Sequence, residues 1–464
     1  MQLHLEVPQI AQAQVIVAGG GLGGIAAAVA SARAGAKTVL LERNGFLGGV
    51  ATAGLCCSLF NCCFSDDGRQ MIHGPVMDII EELAVKAGPG PSWRRHRGHM
   101  IFNPEKAKLV LLEFLRREGV TVRLYSTVAA AERERDRVRG VYVAGRNGLE
   151  YLAADQFVDA TGDSDLAALA GCRTRMVNSK ASYLFSIGNV DMDRFVGYFR
   201  EHPDQYANRM DVDWDLEDAL RQYDENGTFL FPHGGGLFLD LINDAIRRGD
   251  YTETMGTENS LNAFQMHGTR ETGTIHIITG FTSIPSLDAE VLTDRVCEGK
   301  QMAFYVADFM KKTFPGFEKS YVCGTASDLG VRLSRVTVTK HKPVTDAPTA
   351  DFPDQIIGKC LIIHIPQPTD EKRWSCQQLG NECFNVLLPD LLPVEGPQNL
   401  IMGAGRSVCG RFRVMVNTMV VGQGAGVVAA IAAQAGTLPA ETDPAQIRKE
   451  LIRQGSMPDE PENP

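Results

Sequence analysis

Six residues near the N-terminus, Gly19-Gly20-Gly21-Leu22-Gly23-Gly24, carry the first chemical signal in the sequence. Gly19, Gly21 and Gly24 fit the spacing G-x-G-x-x-G, with Gly23 in the same loop. The three positions allow three different things: a tight turn, close approach of backbone to a pyrophosphate, and close packing of helix on strand. A helix starting here offers unpaired N–H groups and a partial positive charge to phosphates. Glu42, some twenty residues on, can accept hydrogen bonds from ribose hydroxyls and would repel a 2′-phosphate. The spacing predicts a site for a dinucleotide that lacks this phosphate.

Four further glycine-bearing turns follow. They are Gly48-Gly49-Val50-Ala51-Thr52-Ala53-Gly54, Asp159-Ala160-Thr161-Gly162-Asp163, Gly403-Ala404-Gly405-Arg406 and Gly422-Gln423-Gly424-Ala425-Gly426, the last read as opening a helix. A nucleotide held at one end does not explain turns spread over most of the chain. A long, extended cofactor touched along its length does, and FAD is such a ligand.

With these motifs in order, the chain resembles the FAD-dependent oxidoreductases of the glutathione-reductase-like superfamily. The resemblance rests on GFLGG-x-ATAGL at Gly45–Leu55, DATGD-x-DLA at Asp159–Ala167, PGFE at Pro315–Glu318, TAS-x-LGVR-x-SR at Thr325–Arg335, and NLI-x-GAGR…RVM…GQGAG within Asn399–Gly426. It implies that Gly19, Gly21, Gly24, Glu42 and Arg43 hold the ADP half of FAD. It implies that Gly49, Ala51 and Thr52 approach the pyrophosphate and flavin, and that Val128 meets the adenine through its backbone. Thr161, Gly162 and Asp163 would line the pyrophosphate region, and Gly405 and Arg406 would lie near the ribityl chain. A helix opening near Gly422, Gln423 and Gly424 would aim its N-terminus at the flavin pyrimidine edge, stabilising the charge of reduced flavin.

Cys56-Cys57-Ser58-Leu59-Phe60-Asn61-Cys62-Cys63 departs from the family pattern. Three readings of the four thiols stand side by side: reduced and partly buried, a redox pair exchanging electrons with flavin, or ligands of an iron–sulfur cluster. The CC-x4-CC spacing lacks the C-x2-C runs of common clusters. His233, in the glycine-rich loop Phe231–Gly236, is a candidate for moving a proton, and His73, His267 and His276 are weaker ones. Arg332, Arg335, Arg411 and Arg413 are candidates for clamping an anionic substrate group. Arg332 and Arg335, three apart, could share a helix face. The alternative is that these arginines pair with local carboxylates and hold a domain interface. No H-E-x-x-H spacing points to a metal.

The elements that must position these residues begin with a βαβ unit. Gln14–Ala18 reads as a strand, Ile25–Ala34 as a helix, and Lys37–Leu41 as a second strand, which implies a parallel sheet. A helix is expected from about Asn103 to Glu118, then strands of a meander at Val120–Tyr125 and Val138–Val143. The charge run Glu132–Arg139 reads as a solvated turn or strand edge. The expected fold is α/β: a glutathione-reductase-like FAD domain with a Rossmann core (1–173 and 396–464) and an inserted α+β substrate domain (174–395).

The net charge of −10 argues against a protein built to neutralise nucleic-acid phosphates. No signal peptide is read, and the longest apolar stretches are read as about ten residues, against about 18 needed to span a bilayer. A cytoplasmic setting is expected, with reduced thiols, since 11 cysteines is an odd count on a chain without an export signal. A homodimer is left open. The expected function is hydride transfer between flavin N5 and a carbon of a small polar molecule, with His233, Arg332, Arg335 or Arg413 managing proton or anion. The electron acceptor or donor is left unnamed. Two other classes are weighed: an electron-transfer flavoprotein relaying through the cysteines to a partner protein, and a flavin protein acting on tRNA.

Overall fold

The computed structural model describes residues 6–59, 63–65, 68–96, 99–207, 214–231, 236–237, 239–251, 265–341, 353–363 and 378–457. The βαβ unit is present. The strand Gln9–Ala18 leads into the helix Leu22–Arg33 and pairs in parallel with Thr38–Leu41, in the register Val15 to Thr38. On its other side it pairs in parallel with Gly148–Asp159, so that Ala18 sits beside Asp159. This register brings the first glycine turn and the Asp159–Asp163 turn to the same end of the sheet.

Gly148–Asp159 does two jobs along its length. Its first half pairs antiparallel with Arg137–Gly145, which pairs with Thr127–Glu134. Its second half pairs in parallel with Leu400–Met402. The meander is therefore made of these three long strands. Thr121–Arg123 instead extends the parallel part beside Thr38–Leu41, contrary to the expectation that it joins the meander. The charge run forms the turn between meander strands, with Arg139 and Glu134 paired and exposed. The helix Pro104–Arg117 starts where the sequence predicts, because the Asn103 side chain accepts from the N–H groups of Glu105 and Lys106.

A second, wholly antiparallel sheet runs Thr228–Phe231, Gln265–Thr269, Thr274–Ile284, Ser179–Gly188 and Tyr321–Thr325, with Gly330–Val331 also on Ser179–Gly188. Its core joins Phe185, Ile187, Met266, Ile275 and Ile277 to Phe195 and Phe199 of the helix Met192–Glu201 and Val306 and Met310 of the helix Ala289–Thr313. The excursion is closed by a ribbon of Thr174–Met176 against Arg335–Thr337. Ile357, Cys360, Val386 and Leu391 already belong to the first core, so the chain returns to it well before 396.

The helix Met415–Ala435 packs over the first sheet and against Leu22–Arg33. Among the described residues it is the one helix long and apolar enough to cross a membrane, which corrects the reading that no apolar stretch is that long. Its apolar window is 89% buried inside the protein, as a core helix is.

Candidate functional site

The glycine loop has the geometry its spacing predicts. Gly19 has φ +106°, and a Cβ there would lie 2.4 Å from the Ala160 carbonyl oxygen. A Cβ at Gly24 would lie 1.9 Å from the Gly19 oxygen, so this glycine permits the helix to pack on the strand. At Gly21 a Cβ would meet only the Gly49 Cα, at 3.9 Å. Protein atoms leave that space open, at the N-terminus of a helix whose first turn has no acidic residue and no side-chain cap. This is the fit expected of a pyrophosphate cradle. Gly23 serves a different contact. A Cβ there would lie 2.7 Å from the Gly403 oxygen, so this glycine seats the loop that follows the strand Leu400–Met402.

Glu42 is buried beside this loop. Its Oε2 accepts from Gly20 N at 2.7 Å and its Oε1 from Asn44 N at 2.8 Å. Burial pushes its carboxyl up, against the pull of those two N–H groups. Arg43 reaches across to Asp328 at 2.7 Å. In the following segment Gly49 has φ +55°, and the Thr52 hydroxyl donates to the Leu47 carbonyl at 2.6 Å, which holds the turn. Ala51 is buried.

Asp159, at the end of its strand, builds the next turn. It is fully buried and accepts from Thr161 N at 3.0 Å, Thr161 Oγ1 at 2.7 Å and Ala167 N at 2.8 Å. Burial raises its carboxyl to about 6. The Thr161 hydroxyl also accepts from Asp165 N at 2.8 Å, so that side chain shapes the turn. Gly162 has φ +89°, with Arg406 Nε 2.6 Å from where a Cβ would stand. Asp163 is a hub. Arg406 Nη2 donates to its Oδ2 at 2.9 Å, Ser334 donates to its Oδ1, and Arg335 Nε donates to its backbone oxygen at 2.9 Å.

Arg335 also pairs with Asp165 at 2.5 Å. Together with Thr127, Val128, Ala129, Ala168 and Leu169 these residues line a recess of about 490 Å³. Arg335 is thus placed at the Val128 end of the site, engaged with carboxylate and carbonyl, as the interface alternative has it. Arg332 and Arg335 do not share a helix face: Arg332 follows the short strand Gly330–Val331 and Arg335 opens the strand Arg335–Thr337.

Gly422, Gln423 and Gly424 do not open a helix. They lie inside Met415–Ala435. A Cβ at Gly422 would stand 1.9 Å from the Gly23 oxygen, one at Gly426 2.1 Å from the Ala27 oxygen, and one at Gly424 2.7 Å from the Ile357 oxygen. These glycines let two helices and a strand come into backbone contact. Gln423 accepts from Val76 N at 3.2 Å. The helix N-terminus lies about two turns earlier, after Val414, next to Arg413. Gly405, near it, donates through its N–H to Thr418 Oγ1 at 2.6 Å.

Past the Leu55 turn the cysteines diverge. Cys56 is buried within the electrostatic influence of Arg332 and Arg413. Burial pushes this thiol up to about 11, and the two arginines oppose that rise. Burial in turn lowers the Arg332 guanidinium, and the Cys56 thiol opposes that. Cys57 Sγ lies 3.2 Å from His267 Nε2, and burial raises this thiol well above its ordinary range. Both thiols are therefore protonated at neutral pH, a poor state for nucleophilic or metal-ligand work. No disulfide joins the described cysteines, and no cluster among the described residues could hold a metal ion. Cys62 and His233 lie outside the described residues.

His267 and His276, weaker candidates in sequence, come together. They are cross-strand partners with rings stacked at 5.3 Å, and His276 Nδ1 lies 2.7 Å from Ser186 Oγ on the next strand. Gln265, two residues from His267, donates to Ser58 Oγ at 3.0 Å. The same sheet thus has an apolar face under its helices and a second buried face, on which Ser182, Ser186, Gln265, His267 and His276 stand among Leu184, Leu230 and Ile278 and which meets Cys57 and Ser58 of the first unit. A sequence signal existed: Gln265-Met266-His267-Gly268-Thr269 alternates polar and small or apolar residues with period two. His73 is held locally by Gln70 instead.

The pattern of the FAD dependent oxidoreductase family matches residues 14–451. No curated protein matches the sequence. Among solved structures, a geranylgeranyl bacteriochlorophyll reductase-like protein from Thermoplasma acidophilum is 15% identical at TM-score 0.46, covering 96% of this chain and 84% of its own. The p-nitrophenol 4-monooxygenase PnpA from Pseudomonas putida DLL-E4 is 11% identical at TM-score 0.46, covering 97% and 91%. The L-proline dehydrogenase from P. horikoshii is 14% identical at TM-score 0.38, covering 96% and 99%. The family pattern spans nearly the whole chain and meets a glycine cradle left open for a dinucleotide: the protein belongs to the FAD-dependent oxidoreductase family and is a flavin enzyme with FAD as its cofactor.

Proposed function

We propose that the enzyme has a glutathione-reductase-like FAD domain and moves a hydride between flavin N5 and a carbon of a small, polar organic acid. Bound FAD supplies the two-electron chemistry. Gly19–Gly24, Glu42 and the Gly49 turn hold its ADP half, and the recess at Val128 receives the adenine. The segment from Gly49 to Leu55 leads along the cofactor to the flavin, and the polar sheet face closes over it. Arg332 and Arg413 bind the substrate carboxylate. A guanidinium presents a planar fork of donors that matches a carboxylate, and partial burial strengthens each hydrogen bond.

The observation that carries this reading is that the buried Cys56 thiol, at the end of the segment that follows the cradle, lies within the electrostatic influence of both Arg332 and Arg413. The test is an anaerobic panel of 2-hydroxy and amino acids beside the matching neutral alcohols and amines, followed by flavin absorbance. Acids are expected to bleach the flavin. In Arg332→Gln the half-saturating acid concentration should rise about 10- to 100-fold, equivalent to about 1.4–3 kcal/mol, with FAD retained. Equal bleaching by the neutral analogues, unaltered by Arg332→Gln, would rule out the acid as substrate.

A further inference from the structure

The polar row on the second sheet does more than satisfy buried groups. His267, His276, Ser186 and Gly324 are successive cross-strand neighbours over four strands. At the inner end stands the Cys57 thiol, 3.2 Å from His267. At the outer end Gly324 is only half-buried, on the edge strand Tyr321–Thr325. It has no side chain to cover Ser186: a Cβ at 324 would stand 3.9 Å from the Ser186 Oγ and Cβ. The row therefore runs from the buried Cys57 thiol to the half-buried edge strand at Gly324. The residues that alternate with it along the strands, Ile187, Met266, Ile275 and Ile277, are apolar and buried.

We propose that Cys57, His267, His276 and Ser186 form a proton path between the flavin side of the interdomain cleft and solvent at Gly324. Each member gives one proton as it takes another, so no residue keeps a charge and no electrons move. The Cys57 S–H donates to His267 Nε2 while the far nitrogen of that ring releases its own proton. Between the two rings, whose centroids stand 5.3 Å apart, the path takes in one water as its co-reactant, which accepts from one ring nitrogen as it donates to the other. His276 Nδ1 and the Ser186 hydroxyl pass the proton between them, and the hydroxyl exchanges with water at Gly324. Neutral imidazole, with one donor and one acceptor nitrogen, suits this work, and burial holds His276 neutral by lowering it to about 4. A hydride reaction at flavin needs such a path, because a substrate O–H or N–H proton must leave or enter a closed site.

The path rests on the reading that this sheet face covers the flavin, but its test does not depend on turnover. In FAD-loaded protein, the S–H infrared band of Cys57, assigned by its loss in Cys57→Ser, is followed after transfer to D2O. Exchange should slow at least 10-fold in Ser186→Ala, which removes one hydroxyl from a strand, and in Gly324→Leu, which covers Ser186 without backbone strain. His276→Gln should slow it similarly. Exchange at the native rate in both Ser186→Ala and Gly324→Leu would overturn the proposal. Slowed exchange in an enzyme whose flavin no acid bleaches would leave the path standing and remove the substrate assignment.

Discussion

At the scale of single residues, the two turns that meet at the end of the first sheet show how small groups set the cofactor site. Gly21 is the sharper case. The protein leaves space where its side chain would be, with only the Gly49 Cα near. Gly21→Val should therefore fold normally by circular dichroism yet purify without the yellow FAD spectrum. A variant that stays yellow would place the pyrophosphate elsewhere. Asp159 works through three hydrogen bonds from the turn it closes. An asparagine there would set an N–H2 group against one of those donors, costing about 1–3 kcal/mol and lowering Tm. The pH dependence has a definite sign. Burial raises the folded-state carboxyl from 3.8 to about 6, so its contribution to stability is complete below about 4 and is lost as pH rises through about 6. Denaturation midpoints measured from about pH 4 to 7 should show that fall in the native protein and lose it in Asp159→Asn.

At the scale of elements, the contact between the helices Leu22–Arg33 and Met415–Ala435 governs the cofactor domain. Gly23 and Ala27 face Gly422 and Gly426, spaced four apart on each helix, so that backbones touch. Neither helix needs a strong amphipathic stripe, because each is buried nearly all round. Gly426→Val would drive a branched side chain into the Ala27 carbonyl. The expected loss is about 1–3 kcal/mol or more, read as a lower urea midpoint, with FAD released early because the pyrophosphate helix shifts. An unchanged midpoint with normal FAD content would mean that the helices lie farther apart than described.

At the scale of the whole molecule, the two cores are joined by a polar seam. Asp163 gathers Arg406, Ser334 and Arg335, Arg335 reaches Asp165, and Arg43 reaches Asp328. These partners are 170 to 285 residues apart in sequence. Asp163→Ala would leave Arg406 without that carboxylate and free the Ser334 hydroxyl, at a cost of about 1–3 kcal/mol. The expected outcome is a lower thermal midpoint and weaker FAD retention together, since the seam and the pyrophosphate turn share this residue. A fall in stability with FAD affinity unchanged would separate the seam from the cofactor site.

What the sequence alone determined are the features set by local geometry. The G-x-G-x-x-G loop, the βαβ unit and the Asn103-capped helix follow from glycine backbone freedom, strand period and side-chain capping, all within a few residues. The ordered glycine motifs, through the family they resemble, were enough to indicate FAD, although Gly422–Gly426 lies inside a helix and is no turn. What only the tertiary structure decided depends on long-range contact. The same residue type serves two purposes in this chain: Gly19 shapes a turn against Ala160, whereas Gly422 and Gly426 seat a helix against another helix. Spacing alone cannot separate these, because the distinction lies in which backbone stands opposite. The alternation around His267 is present in the sequence but went unread there, and it does not tell that His276 and Ser186 stand beside it, nor that Cys57, 210 residues away, closes the row. Register between strands distant in the chain fixes that row, and register is a property of the folded sheet.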